Sequence, residues 1–318
     1  MATALNIVVM LGGPSAEREV SLRSGAAVAA ALRSLGHHVT ELDPRSGGWS
    51  LPPGTHVVFL ALHGTYGEDG TVQRELDRLG VPYTGCDAEA SRVAFDKVLT
   101  KQACVAAGAP TARYVVVNSA DAPWPNGWQP PVVLKPVRQG SSVGLQFVDD
   151  IAQWPAALAE ALRFDSEVLV EEKITGRETT VGILAGAALP LVEVRPKQGV
   201  LDYHNKYTPG ATEYFCPADF EAGAVRKIQA AALGAFRAVG GRDYARVDVM
   251  VRADGEPVVL EVNTLPGMTA TSLLPKAAAV IGLNYAQLCQ RMVELALLRS
   301  PKPLAGRTEK AEKGLHVV

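Results

Sequence analysis

Arg246-Val247-Asp248-Val249-Met250-Val251, the polar turn Arg252-Ala253-Asp254-Gly255-Glu256-Pro257, and Val258-Val259-Leu260-Glu261-Val262-Asn263-Thr264-Leu265-Pro266-Gly267-Met268-Thr269 are the stretch on which the reading of this chain rests. Two β-branched, apolar runs around an Asp-Gly turn predict a hairpin. Alternation along a strand then puts Arg246, Asp248 and Met250 on one side, and sets Leu260 and Val262 against Glu261 and Asn263. Asp248, Glu261 and Asn263 are three short oxygen donors at one end of that hairpin, and an oxygen-only set suits a hard cation such as Mg²⁺. The same residues also fit the polar face of an exposed sheet; Arg246 and the Pro266-Gly267 turn beside them weigh towards a site.

Upstream, Asn6–Leu11 is a buried-strand pattern that ends in Gly12-Gly13-Pro14-Ser15 and leads into an Ala-rich helical stretch over residues 16–35. Glu17 sits at the mouth of that turn, where ligands of open α/β sheets gather, although a first-turn acid favoured by the helix dipole reads the same way. Residues 39–42 and 56–62 continue as strands, the latter ending in the glycine loop His63-Gly64-Thr65-Tyr66-Gly67-Glu68-Asp69-Gly70. His63 is a candidate substrate contact or a structural hydrogen-bonding residue. Alternating strands and helices over this part imply a parallel sheet. One helix is expected over residues 90–107, carrying Lys97.

The clearest phosphate signal follows: Val132-Val133-Leu134-Lys135-Pro136 is a strand with a lysine near its end, and Val137-Arg138-Gln139-Gly140-Ser141-Ser142-Val143-Gly144 is a small, hydroxyl-rich loop. Such a loop turns backbone N–H groups towards an anion while the lysine adds charge, and an empty hairpin loop has a similar composition. Residues 167–184 read as two strands around a short link, a seat for an adenine with Glu178 suited to ribose hydroxyls; the alternative is a solvated strand edge. Residues 201–217 lack a period and read as a long lid-like loop. Helices are expected over 220–239, 273–281 and 285–298, and a Lys- and Glu-rich tail beyond Pro301.

The 318 residues suffice for two or three domains, and 31 Lys plus Arg against 33 Asp plus Glu exclude a broad nucleic-acid surface. Four cysteines without a CxxC pair suggest neither zinc nor a redox couple. With no signal-like start and no apolar run of about 18 residues, the expectation is a cytoplasmic protein without a membrane partner.

In this order, the motifs resemble the D-alanine–D-alanine ligases of the ATP-grasp superfamily, over nearly the whole chain. They are Leu11-Gly12-Gly13-Pro14-Ser15-Ala16-Glu17-Arg18-Glu19-Val20-Ser21, Ala61-Leu62-His63-Gly64, Gly140-Ser141-Ser142-Val143-Gly144, Lys206-Tyr207 and Asn263-Thr264-Leu265-Pro266-Gly267-Met268-Thr269. The resemblance implies an α/β fold of three domains, drawn here at residues 1–95, 96–178 and 179–306 with a tail at 307–318. It further implies ATP between the central and carboxyl-terminal domains, two Mg²⁺ ions with Mn²⁺ as a substitute, two D-alanines as substrates, and a homodimer. Phosphorylation of one D-alanine carboxylate would precede attack by the amine of the second, in the synthesis of cell-wall precursors.

Carried over by motif, Asp248, Glu261 and Asn263 resemble the metal ligands, and Lys97, Lys135 and Lys206 the phosphate-binding lysines. Arg246 and Gly267 resemble the groups that stabilise the oxyanion, and Glu17 the acid that fixes the first ammonium with Ser141 and Tyr207. His63 matches the histidine near the first substrate, and Ser272 and Leu273 the pair that holds the second. Glu171, Glu172, Lys173 and Ile174 resemble the adenine hinge, with Glu178 at the ribose. Lys206-Tyr207 follows the peptide-forming pattern and not that of the D-alanine–D-lactate members, whose lid has histidine near Tyr207. Lys173 departs from members with a large aromatic beside the adenine.

Overall fold

The computed structural model describes residues 3–45, 47–197 and 210–299. Lys206 and Tyr207, the centre of the expected lid and the expected tail lie outside them. The amino-terminal part is a parallel sheet of β1 (Asn6–Met10), β2 (His38–Leu42) and β3 (Val57–Leu60) in the order β2-β1-β3, as its alternating pattern predicts. Helix α1 (Arg18–Ser34) links β1 to β2, and α2 (Thr71–Leu79) follows the glycine loop after β3. Gly12 and Gly13 turn the chain out of β1 with φ of +80° and +74°, a region that costs other residues steric strain. A side chain at Gly12 would also lie 2.7 Å from the Arg18 guanidinium.

The single helix expected over residues 90–107 is two, α3 (Ala88–Phe95) and α4 (Lys97–Ala106). Asp96 breaks it: its backbone is extended (φ −85°, ψ 109°), and its side chain accepts from the N–H groups of Val98 and Leu99. An aspartate offers that cap more strongly than it propagates a helix. The break starts a new helix at Lys97, whose N–H donates to the carbonyl of Val137 in the glycine- and serine-rich loop.

Two antiparallel sheets follow. One contains β4 (Tyr114–Val117), β5 (Val132–Pro136), β6 (Gln146–Val148) and β7 (Val168–Glu172) in the order β4-β7-β5-β6, covered by α5 (Trp154–Ala161). The other orders β8 (Arg177–Leu184), β9 (Ala187–Pro196), β10 (Thr212–Phe215), β11 (Tyr244–Val251) and β12 (Pro257–Asn263) as β10-β9-β8-β11-β12. The link at 173–176, read correctly as joining two strands, carries the chain from the first of these sheets into the second. Strand β10 is a correction to the long loop expected at 201–217. It has no apolar period because it is an exposed edge strand, and its pairing to β9 decides it.

In β11 the odd positions Val247, Val249 and Val251 pack against α6 (Ala222–Ala238), leaving Arg246, Asp248 and Met250 on the other face as alternation predicts. The partner strand departs from simple alternation. Asp248 pairs with Glu261, but Val249 pairs with Val259, so Leu260 is an extra residue in a β-bulge. Leu260 therefore lies beside Glu261 in the same cavity and does not oppose it. Bulges recur beside sites because they re-aim side chains in this way.

Helices α7 (Leu273–Val280) and α8 (Tyr285–Leu298) close the chain. Leu288, Met292 and Val293 of α8 share one core with Ile7, Val9 and Phe59 of the parallel sheet, so the last helix holds the first sheet against β9 and α7. Truncating fully buried Met292 to Ala costs about 2–5 kcal/mol. Among the described residues, no helix is long and apolar enough to cross a membrane.

Candidate active site

Two cavities meet at the β11–β12 hairpin. The first, about 430 Å³, lies between the two antiparallel sheets and is bounded by β5, the 173–176 link, β9 and the hairpin. The second, about 830 Å³, reaches from the start of α1 and the loop after β3 to the start of α7. Lys97, Gln139, Glu178, Asp248 and Glu261 line both. The hairpin's acids thus stand where the cavities join.

Lys135, Glu171, Glu172, Lys173, Ile174 and Glu178 are brought together in the first cavity, with Leu145, Phe147 and Met250 as its apolar lining. Glu171 is 2 % exposed and forms ion pairs with Lys135 through one oxygen and Lys101 through the other. Burial opposes its ionisation, but the two ammonium groups outweigh it and hold its pKa below the usual carboxylate range. Burial likewise pulls Lys135 down, yet Glu171 reverses this and its pKa rises. Both therefore stay charged at neutral pH. Glu172 turns to Arg252 at 2.9 Å, and Lys173 reaches Asp149 at 2.8 Å while lying over the Phe147 ring. The Phe147–Lys173 stack supplies a flat wall where the sequence lacks a hinge aromatic.

Glu17, His63, Arg246, Asn263, Gly267, Ser272 and Leu273 line the second cavity together with Ser141. Glu17 has a partner from a distant loop. Although at the amino-terminal edge of α1, it makes no side-chain cap, and accepts a short hydrogen bond from the Ser141 hydroxyl. Its carboxylate sits between two glycine loops: a Cβ at Gly64 would lie 2.8 Å, and at Gly140 2.9 Å, from Glu17 Oε2. Ser141 and Ser142 adopt left-handed φ of +52° and +59°, strain of the kind that loops retain at ligand sites.

His63 is 5 % exposed and wedged between the Ser24 hydroxyl (3.3 Å), the Leu265 carbonyl (3.0 Å) and Glu68 (3.4 Å). The same Ser24 hydroxyl accepts from the Met268 N–H, tying the turn after β12 to α1. Glu68 was not singled out as a candidate. Burial pushes its pKa up, partly offset by His63. Its only advance signal is its place in the loop that ends β3. At the other end, Ser272 contacts Thr269 through its hydroxyl (2.8 Å to Oγ1, 3.0 Å from the N–H), which fixes the turn containing Gly267.

Arg246 bridges the two sets of residues. Its Nε and Nη2 donate to the two Asp248 oxygens at 2.8 Å each, and Nη2 lies 3.9 Å from Glu261. Burial lowers its pKa, but these acids raise it further, so the guanidinium is permanently charged. Asn263 Oδ1 accepts from the Leu265 N–H at 3.0 Å, capping the exit of β12.

The donor set fits a divalent cation in a particular way. Asp248 and Glu261 are cross-strand partners on one face, and among the described residues no group of three or more His, Cys, Asp or Glu forms a cage. Two carboxylates and one carboxamide suit Mg²⁺ that completes its shell with phosphate oxygens and water.

Family models described as D-ala D-ala ligase N-terminus and D-ala D-ala ligase C-terminus match residues 40–86 and 106–294. A D-alanine–D-alanine ligase of Methylacidiphilum infernorum is 47% identical over 294 residues, covering 92% of this chain and 96% of the relative. One from Syntrophotalea carbinolica is 45% identical over 295 residues, with 92% and 96% covered. Among solved structures, a Bacillus anthracis D-alanine–D-alanine ligase complexed with ATP superposes with TM-score 0.80 at 31% identity, covering 93% of this chain and 98% of that one. A second Bacillus anthracis structure of that enzyme gives 0.81 at 34%, over 93% and 98%.

Proposed function

This chain belongs to the D-alanine–D-alanine ligase family, and on that premise we propose that its joined cavities hold ATP and two D-alanines as the sites of one reaction. The protein is an ATP-dependent ligase that joins two D-alanines for peptidoglycan precursor synthesis. The observation that carries the site assignment is the shared wall: Asp248 and Glu261 line both cavities, so a triphosphate in the first can present its γ-phosphate to a carboxylate in the second.

A carboxylate is a poor acyl donor, and transfer of a phosphoryl group onto it supplies a leaving group. The adenine would occupy the first cavity beside Lys173 and Ile174, its ribose at Glu178, and the phosphates near Lys97 and Lys135; Lys206, outside the described residues, would be the third phosphate-binding lysine by family resemblance. Asp248, Glu261 and Asn263 would hold Mg²⁺, whose positive charge would offset that of the phosphates. Glu17, oriented by Ser141, would take the ammonium of the first D-alanine, with His63 beside it.

The acceptor would lie towards Ser272 and Leu273. Attack by its amine forms the C–N bond, a proton leaves the nitrogen, and the C–O bond to phosphate breaks to release inorganic phosphate. Arg246 and the N–H of Gly267 would stabilise the negative oxygen of the tetrahedral centre. The main work of the chain is alignment and charge neutralisation, which can account for several kcal/mol of the barrier.

The test is phosphate release over D-alanine, L-alanine and D-lactate with ATP and Mg²⁺. Release is expected only with D-alanine present, with dipeptide as product. Turnover independent of D-alanine, or preference for an unrelated carboxylate, would sink the reading. D-lactate consumption alongside D-alanine would instead indicate a depsipeptide ligase. Sedimentation of the purified chain tests the homodimer.

A further inference from the structure

Lys101 lies one helical turn beyond Lys97 on α4, is 2 % exposed, and lines neither cavity. A lysine this deeply buried needs all its donors satisfied. It donates to Thr111 Oγ1 at 2.8 Å and to the Ala112 carbonyl at 3.0 Å, and pairs with Glu171. On its other oxygen, Glu171 holds Lys135, and both of these line the first cavity. Two cations thus share one carboxylate. Burial outweighs Glu171 and lowers the Lys101 pKa, so while Lys101 keeps its proton the wall carries a net positive charge that a lone Lys135–Glu171 pair would lack.

A second connection leaves the same lysine. The Thr111 hydroxyl donates to the Val259 carbonyl at 3.2 Å, and the Val259 N–H donates to the Pro110 carbonyl at 2.8 Å. Val259 immediately precedes the bulge that places Leu260 and Glu261 in the cavity. Lys101 therefore touches, through one partner each, the cavity's lysine and the strand that carries its acid.

We propose that Lys101 is a positioning residue for the nucleotide: it neutralises Glu171 from behind, leaving Lys135 charge available to a polyphosphate, and anchors β12 where the bulge presents Glu261. This rests on the reading that the first cavity takes ATP.

The experiment compares Lys101→Met and Lys101→Arg with the unaltered enzyme, through KM for ATP, KM for D-alanine, and equilibrium binding of ADP. Lys101→Met is expected to weaken ATP and ADP by roughly tenfold or more while KM for D-alanine stays within about twofold, and Lys101→Arg to recover most of the loss, because a buried carboxylate left without its cation draws on the nearest other one. Unchanged ATP and ADP affinity in Lys101→Met overturns the proposal, and so does an equal loss for both substrates.

Because leaving Glu171 buried without its cation works against folding of that variant, a second one removes both charges: Lys101→Met with Glu171→Leu. Apolar replacement of a whole buried pair is commonly tolerated, and Lys135 then keeps its charge, so inorganic tripolyphosphate is expected to bind within about threefold of the unaltered enzyme. A loss of tenfold or more there refutes the charge argument. If the unaltered enzyme itself fails to release phosphate with D-alanine, the functional reading fails; if it turns over normally and the Lys101 variants match it, only this inference does.

Discussion

Gly176 is the position where the smallest change should separate nucleotide binding from everything else. It ends the 173–176 link and lines the first cavity, and a Cβ built on it would lie 2.0 Å from the Val251 carbonyl oxygen and 2.7 Å from its carbon. Both atoms are backbone at the end of β11, so no side chain can swing aside. A tolerable Cβ–oxygen contact is no shorter than about 3 Å, so Gly176→Ala must part the link from β11 by roughly 1 Å in a packed interior. Overpacking of this kind costs about 1–3 kcal/mol of stability.

The larger effect is on ATP, because the same link carries Lys173 and Ile174, and misplacement by about 1 Å can cost up to 10²-fold. KM for ATP in Gly176→Ala is expected to rise tenfold or more, about 1.4 kcal/mol, with KM for D-alanine little changed. The assay is phosphate release with each substrate varied in turn, beside a thermal melt. A variant with unaltered ATP kinetics would refute the reasoning, since backbone cannot absorb a contact that close without moving the link.

Other expectations follow from the same geometry. Asp248→Asn or Glu261→Gln should lower the rate of phosphate release at least 10²-fold without unfolding the chain, since both side chains face the cavities; near-normal turnover in both would remove them as metal ligands. Gly140→Ala places a methyl group 2.9 Å from Glu17 Oε2 and should raise KM for the first D-alanine more than that for ATP, read by varying each substrate. Asp43 accepts from Arg18 and from the Gly13 and Arg45 N–H groups, which hold its pKa at about 2. With its folded pKa depressed, Asp43 contributes stability above its ordinary range that is lost as pH falls towards 2; Asp43→Asn should flatten that part of a melting-temperature profile, and an identical slope would exclude the assignment.

The hairpin shows how much was legible and where legibility stopped. Val247, Val249 and Val251 alternate with Arg246, Asp248 and Met250, and a strand's twofold period turns that alternation directly into faces. No comparable signal marks the bulge at Leu260, because an extra residue in one strand is defined only against its partner. Nor does the sequence mark Asp96 as a break, because whether an aspartate caps or simply decorates a helix depends on what its backbone meets. Here the Lys97 N–H reaches the Val137 carbonyl, far along the chain.

The candidate site residues drew attention in the sequence because they are polar groups in loops and at strand ends, where an apolar pattern breaks. Lys101 was invisible for the opposite reason: it lies inside a helix, looks like a solvated lysine, and is buried only because Glu171, Thr111 and Ala112 fold around it.

By itself, then, the sequence determined the alternating strands and helices of the first sheet, the β11–β12 hairpin and the family, and it marked candidate side chains for the chemistry, since these follow from local period, turn residues and motif. Only the tertiary structure decided that Leu260 bulges out of β12, that Asp248 and Glu261 stand between two cavities, and that two lysines share Glu171. Those are contacts between segments tens to hundreds of residues apart, and burial and charge pairing are properties of such contacts, not of any one stretch of chain.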